Sequence, residues 1–147
     1  MRRISITAVA VAAVAALASG PASGFVHRTT LKLHKTTIGT ILVNGRGFTL
    51  YAFTKDGRNR DNCAKISGCL GLWPVVSGAA KPILGPGVHR SKVGTITLKN
   101  GTKQLTYGGH PLYTYVGDSR PGQTFYVNFS QFGGRWPAVN AAGAEVK

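Results

Sequence analysis

The segment Gly47-Phe48-Thr49-Leu50-Tyr51-Ala52-Phe53-Thr54-Lys55-Asp56 returns later in the chain as Gly109-His110-Pro111-Leu112-Tyr113-Thr114-Tyr115-Val116-Gly117-Asp118. Glycine, leucine, tyrosine, a second aromatic residue and aspartate recur in the same register. Because matched residues should have matched backbone roles, we predict that the two segments form equivalent strand-and-turn units related by an approximate two-fold axis.

The repetition extends beyond these segments in both directions. Downstream, Trp73-Pro74 returns as Trp136-Pro137. Upstream, Ile38-Gly39-Thr40-Ile41 resembles Val93-Gly94-Thr95-Ile96. We therefore predict two copies of one unit, with repeat one over about residues 38–76 and repeat two over about residues 93–139.

Alternation of apolar and polar residues predicts strands throughout the repeats. Successive side chains of a strand point to opposite faces, so Tyr51 and Phe53 share one face while Leu50 and Ala52 share the other. No window has sustained helical periodicity, and 20 glycines argue against long helices. The sequence predicts an all-β domain in which two pseudo-symmetric strand-hairpin repeats form one small sheet or sandwich. The predicted strands and turns are Thr30–His34, Ile38–Val43, the turn 44–47, Phe48–Thr54 pairing back as the second hairpin arm, Val93–Leu98, the turn 99–102, Gln104–Tyr107, the turn Gly108-Gly109, Leu112–Val116, Thr124–Phe129 and Arg135–Val139.

The beginning of the chain has the composition of an export signal. A basic start is followed by an uncharged run rich in alanine and valine, which predicts a signal peptide over residues 1–18, with cleavage as late as residue 24. Residues 19–30 contain Ser, Gly, Thr and basic residues without apolar periodicity, and we interpret them as a flexible basic leader. Residues 31–147 then form the two-repeat domain, secreted or held at the cell envelope.

The net charge indicates an anionic partner. After removal of Arg2 and Arg3, 16 lysines and arginines face four acidic residues, which leaves about +12. Such a charge attracts polyanions. We predict an anionic envelope polymer or a carbohydrate as partner, only non-specific binding to nucleic acid, and no membrane span in the mature form.

Cys63 and Cys69 are the only cysteines of the chain. An even number of cysteines in an exported protein predicts a disulfide, and a loop this short stabilises the fold by at most ~2–3 kcal/mol. Zinc sites have other ligand spacings, and redox catalysis prefers two intervening residues. We predict a structural disulfide, no metal site and no cofactor.

The repeated aromatic and acidic residues are the candidate binding site. Asp56 and Asp118 follow the predicted strands, where an aspartate can accept backbone N–H bonds in an Asx-type turn. Two alternatives remain open: exposed aromatic rings could stack on sugars, or the two carboxylates could converge as an acid and base pair. The binding candidates are Tyr51, Phe53, Asp56, Tyr113, Tyr115 and Asp118, and no residue is assigned to catalysis.

The two Tyr-x-aromatic-x-x-Asp motifs, the leading strand Ile38–Val43 and the cysteine pair before Leu72-Trp73-Pro74 resemble a family of secreted, often lipid-anchored bacterial repeat proteins. The family's lipid-anchoring cysteine is missing here. The resemblance implies an exported envelope or extracellular protein, and the family has no established activity. Our leading hypothesis is a non-enzymatic β module that binds an anionic or carbohydrate envelope component. The alternative is an envelope enzyme or redox component that uses Asp56 and Asp118 or the cysteines.

Overall fold

The computed structural model describes residues 28–78 and 81–147. The predicted signal peptide and almost all of the predicted leader therefore lie outside the described residues. Short strands dominate, and the predicted all-β class is confirmed. The strands are β1 (Thr30–Thr36), β2 (Gly39–Asn44), β3 (Ile83–Leu84), β4 (Val93–Thr97), β5 (Lys103–Tyr107), β6 (His110–Pro111), β7 (Phe129–Gln131), β8 (Gly134–Trp136), β9 (Ala138–Val139) and β10 (Glu145–Val146); α1 is the single turn Cys69–Leu72, and 3-10 turns cover Cys63–Lys65 and Arg90–Lys92.

Each copy opens with an antiparallel hairpin. β1 pairs with β2, with Leu31 opposite Asn44, and β4 pairs with β5, with Val93 opposite Tyr107. β1 is thus equivalent to β4. The predicted upstream repetition is wrong in register, because Ile38-Gly39-Thr40-Ile41 leads into the second arm of its hairpin whereas its presumed counterpart lies in a first arm. Both arms are β-branched, so their composition does not tell them apart.

The motif segment leaves its own hairpin after one bridge. Thr49 pairs with Val43, and the Leu50 N–H donates to the Leu42 carbonyl at 3.0 Å. In the second copy the Leu112 N–H likewise donates to the Leu105 carbonyl at 3.0 Å. The predicted long second arm over Phe48–Thr54 is therefore wrong beyond its first residues, because the next residues pair with the other copy.

The two motif tyrosines form the centre of the fold. The Tyr51 N–H donates to the Tyr113 carbonyl at 2.9 Å, and the Tyr113 N–H returns the bond at 3.0 Å. On the outer sides, Tyr51 is bridged to Ala138 and Tyr113 to Val75. The four segments therefore lie in the order Val75, Tyr113, Tyr51, Ala138, with an approximate two-fold axis between the tyrosines, as predicted.

Further backbone bonds follow the same symmetry. The Ala52 N–H donates to the Pro137 carbonyl and the Thr114 N–H to the Pro74 carbonyl, both at 2.9 Å. The repeated Trp-Pro pairs therefore flank the central tyrosines on both sides. The predicted correspondence between Trp73-Pro74 and Trp136-Pro137 is therefore in the correct register.

The central segments separate two hydrophobic clusters. Leu50, Ala52 and Leu112 belong to a mainly aliphatic cluster on one face, while the motif aromatics belong to a second cluster on the other. The predicted alternation of faces is confirmed. The buried members of the aromatic cluster are Tyr51, Phe53, Cys63, Cys69, Trp73, Tyr113 and Trp136.

The turns between strands are mostly where the sequence predicts them. Gly108 and Gly109 link β5 to β6 with φ of 59° and 90°, and a Cβ on Gly108 would lie 2.9 Å from the Cα of Gly143. Glycine is required there by backbone conformation and by space. The predicted strand Thr124–Phe129 is wrong, since most of it is turn and β7 begins only at Phe129.

Candidate functional site

The motif tyrosines and aspartates bond across the two copies. The Tyr51 hydroxyl donates to Asp118 Oδ2 at 3.0 Å, and the Tyr113 hydroxyl donates to Asp56 Oδ2 at 2.7 Å. Each tyrosine thus reaches the aspartate of the other copy. The spacing of the motif therefore has a direct physical role. It gives each copy one tyrosine donor and one aspartate acceptor, so that two equivalent hydrogen bonds join the repeats.

The aspartates also close the turns after the motif. The Asp56 N–H donates to the Phe53 carbonyl at 2.9 Å, and the Asp118 N–H donates to the Tyr115 carbonyl at 3.2 Å. Asp56 Oδ1 accepts the Asn62 N–H at 2.7 Å. Asp118 Oδ1 is buried and has no hydrogen-bond partner among the described residues. As expected from an Asx-type turn, Asp56 accepts a backbone N–H, but the donor lies six residues further along the chain. Asp118 accepts no backbone N–H among the described residues.

The two repeated tryptophans stack on each other at the same axis. The ring centroids of Trp73 and Trp136 lie 3.9 Å apart, with planes 2° from parallel. Phe53 stacks on Trp136 at 4.2 Å, and Tyr115 stacks on Trp73 at 4.2 Å. The result is a column of four rings in which the outer rings again belong to the opposite copy from the tryptophan they cover.

The edges of the column are also fixed. Tyr51 meets Trp73 edge-on and Tyr113 meets Trp136 edge-on, both at 5.2 Å between centroids. The Trp73 indole N–H donates to Gln131 Oε1 at 2.7 Å, and the Trp136 indole N–H donates to the Gln131 carbonyl at 3.3 Å. Gln131 belongs to none of the repeated motifs, so nothing in the sequence indicates this role.

These contacts decide what the six candidate residues present to solvent. Tyr51 and Tyr113 have no exposed surface, and Phe53 is 2 % exposed. Their ring faces are covered by protein, so the exposed aromatic set that sugar stacking requires does not exist at these three positions. Tyr115 is half-buried. The structure brings all six candidates into one interior cluster that joins the repeats.

Burial sets the acidity of this cluster. Desolvation raises the pKa of Asp56 to about 6, partly offset by its hydrogen bonds to Asn62 and Tyr113. Desolvation raises the pKa of Asp118 to about 6 as well. The pKa values of Tyr51 and Tyr113 are raised by burial and then by the neighbouring carboxylate. The phenols are therefore donors at every physiological pH.

This acidity predicts a pH dependence of stability. An aspartate in the unfolded chain has a pKa near 3.9, so between about pH 4 and pH 6 the folded state binds more protons than the unfolded state, and stability falls as the pH rises. We expect the melting temperature of the native protein, minus that of an Asp56→Asn/Asp118→Asn variant, to be larger at pH 4.5 than at pH 7.5. The subtraction removes charge effects common to both proteins. An unchanged difference would contradict the raised pKa values.

The predicted disulfide is confirmed. Cys63 and Cys69 are bonded, with Cα atoms 5.5 Å apart, and both are fully buried in the aromatic cluster. Cys63 begins the 3-10 turn and Cys69 begins α1, so the bridge joins these two turns, and both cysteines pack in one cluster with Trp73. The bridge lies within the loop of residues 57–72, and the second copy has no disulfide.

That loop forms one wall of a groove. The opposite wall is the end of β4 and the turn that follows it, and the groove encloses about 590 Å³. Arg60, Lys65 and Lys99 line it together with the aliphatic side chains of Leu70, Ile96 and Leu98. Asp61 also lines it. No repeat or motif links the two walls, so the sequence alone does not indicate that these residues lie together.

In the described part of the chain, basic and acidic residues differ in their exposure to solvent. Of its 16 lysines and arginines, all but Lys92 are exposed, whereas none of the four acidic residues is. Asp61 is 6 % exposed, and Glu145 is half-buried. The surface of residues 28–78 and 81–147 therefore presents positive charge almost alone.

No helix within residues 28–78 and 81–147 combines the length and apolar character needed to cross a membrane. In the same ranges, no three His, Cys, Asp or Glu side chains are grouped so that they could hold a metal ion.

Comparison with known proteins identifies a family. A family model described as a secreted repeat of unknown function matches residues 32–77 and residues 94–140. The matched ranges begin in β1 and in β4, which agrees with the equivalence of these strands. No curated protein and no solved structure matches the chain.

Proposed function

We propose, from the premise that this chain belongs to the family of secreted repeats of unknown function, that it is a non-enzymatic module that binds an anionic polymer of the cell envelope. Because the members of this family are secreted and have no known function, the chain is an exported protein of uncharacterised role. The partner and the lack of catalysis are what the proposal adds.

The observation that carries the proposal is that almost all basic side chains of the described residues are exposed while the acidic ones are buried or half-buried. Globular surfaces ordinarily intersperse both signs. Here the acids are drawn inward: Asp56 and Asp118 accept tyrosine hydroxyls, and Asp61 accepts the Ala64 N–H at 2.7 Å. With the acids withdrawn, exposed lysines and arginines create a field that attracts polyanions over several ångströms.

The distribution of the cations favours a polymer over a planar membrane. Exposed cations occur from Arg28, just before β1, to Lys147, and they lie on strands, on the disulfide loop and on turns. A flexible polyanion can follow charges that are spread over a domain. A flat bilayer contacts a single face, and here no one element concentrates the charge.

The enzymatic alternative has weaker support. It requires Asp56 and Asp118 to act on one substrate, whereas each carboxylate accepts a hydrogen bond from the tyrosine of the other copy. The redox alternative required reactive thiols, whereas the cysteines form a fully buried disulfide. A carbohydrate partner that stacks on the motif rings is disfavoured by their burial.

A retention experiment tests the proposal. The mature protein is passed over immobilised anionic wall polymer, anionic vesicles, DNA and a neutral polysaccharide, each at ionic strengths from about 0.02 to 0.5 M, where the Debye length falls from over 20 Å to about 4 Å. We expect retention on the anionic wall polymer that weakens as salt rises but persists at physiological ionic strength. Retention on the neutral polysaccharide alone, or on no polyanion at low salt, contradicts the proposal.

A further inference from the structure

We infer that the groove between the disulfide loop and the turn after β4 is a binding site for a hydroxyl-bearing anionic unit, such as the polyol phosphate of an envelope polymer. The inference rests on the proposed function and names the place and the chemistry of recognition. At about 590 Å³, the groove has the size of ordinary small-ligand sites, which enclose roughly 300–1,000 Å³.

Three cations supply the anion-binding part. Arg60, Lys65 and Lys99 are exposed residues of the lining, contributed by both walls. The Lys65 ammonium group donates to Asn62 Oδ1 at 2.9 Å, so its position is fixed while other protons stay free to donate. A guanidinium group binds phosphate oxygens in pairs, and ammonium groups add point charges. Such a set suits a phosphate or a carboxylate.

One buried carboxylate oxygen supplies the hydroxyl-binding part. Asp61 is 6 % exposed, and its Oδ1 accepts the Ala64 N–H at 2.7 Å. Its Oδ2 is buried without a hydrogen-bond partner among the described residues. An ionised carboxylate only accepts hydrogen bonds, and it repels phosphate. Asp61 is a lining residue of the groove, so a ligand hydroxyl that displaces part of the cover of this oxygen can donate to it, whereas a bare polyphosphate has no hydroxyl to donate.

The aliphatic part of the lining agrees with such a ligand. Leu70, Ile96 and Leu98 are half-buried lining residues. They offer apolar contact to the C–H groups of a polyol backbone, which a chain of phosphate groups lacks. Cations, one acceptor and an aliphatic surface together distinguish a hydroxylated anion from a simple one.

The experiment uses the mature protein and a poly(glycerol phosphate) oligomer at physiological ionic strength, with calorimetry as the readout. The test variant is Lys65→Ala/Lys99→Ala. The control variant, Lys35→Ala/Lys81→Ala, removes the same charge from exposed positions outside the groove. We expect the test variant to bind at least about tenfold more weakly and the control variant to lose less than about threefold, since diffuse attraction depends on total charge.

Two further probes test the chemistry of the ligand. Inorganic polyphosphate of matched charge should bind the native protein about fivefold or more weakly than poly(glycerol phosphate), and Asp61→Asn should reduce that preference. Equal binding of both probes by the native protein overturns the role of the hydroxyl. Tighter binding of phosphatidylglycerol vesicles than of the polymer overturns the assignment to a polymer.

The outcomes separate this inference from the proposed function. Equal weakening in the test and control variants, with normal melting of both, overturns the groove but leaves polyanion binding in place. Failure of the native protein to bind any polyanion overturns both. All four lysines are exposed, so neither variant removes a buried contact needed for folding.

Discussion

Replacing Trp136 with alanine should lower the free energy of unfolding by about 3–5 kcal/mol, the range measured for buried aromatic residues truncated to alanine. Trp136 has no exposed surface, and its ring is covered by Trp73 on one side and by Phe53 on the other. Truncation leaves a cavity at the centre of the four-ring column. For a small domain with a total stability of roughly 5–15 kcal/mol, such a loss brings the protein close to unfolding.

Urea unfolding followed by circular dichroism measures this effect. Phe129→Ala is the matched control, because Phe129 is an aromatic residue of the same region that is 41 % exposed, and we expect it to cost less than about 1 kcal/mol. A Trp136→Ala variant no less stable than the Phe129→Ala variant would show that the column does not hold the repeats together.

The second large effect should come from the reciprocal tyrosine–aspartate bonds. Asp56→Ala leaves two donors without an acceptor, the Tyr113 hydroxyl and the Asn62 N–H. Asp118→Ala leaves only the Tyr51 hydroxyl. With about 1–3 kcal/mol for each buried group left unsatisfied, we expect a loss of about 2–4 kcal/mol for Asp56→Ala and about 1–2 kcal/mol for Asp118→Ala.

Double-mutant cycles show which residues are partners. Tyr113→Phe combined with Asp56→Ala should be non-additive by about 0.5–3 kcal/mol, the range for residues that share a hydrogen bond. Tyr51→Phe combined with Asp56→Ala is the control, and its effects should add, because these two residues of one copy do not bond to each other. Coupling within a copy and none between copies would refute the reciprocal arrangement.

The sequence predicted what depends on alternation and on the repeat. Leu50 and Tyr51 lie in different clusters because neighbouring strand residues point to opposite faces. The repeat predicted an approximate two-fold axis between the copies, and the structure places that axis between the paired tyrosines. The disulfide followed from two cysteines in an exported chain. All of these are local patterns that one strand or one pair of residues can reveal.

The sequence did not predict how the copies exchange contacts. The hydroxyl of Tyr113 bonds Asp56, 57 positions away, and nothing in either segment indicates that the partner belongs to the other copy. The burial of both faces of the motif was also missed, since alternation separates the faces without telling whether a second layer covers each. The groove was missed because its walls come from unrelated parts of the chain.

The exchanged bonds have the form of a two-fold homodimer interface, in which residue i of one subunit meets residue j of the other and the reverse. Here both halves lie in one polypeptide, and each supplies the tyrosine that completes the other's turn. A chain that carried a single copy could form these bonds only by association with a second chain. With both copies in one chain, no second chain is needed, and the two copies can differ in sequence. Only the first copy carries a disulfide loop, and the groove beside it therefore occurs once. A symmetric dimer of single copies would have such a groove twice or not at all.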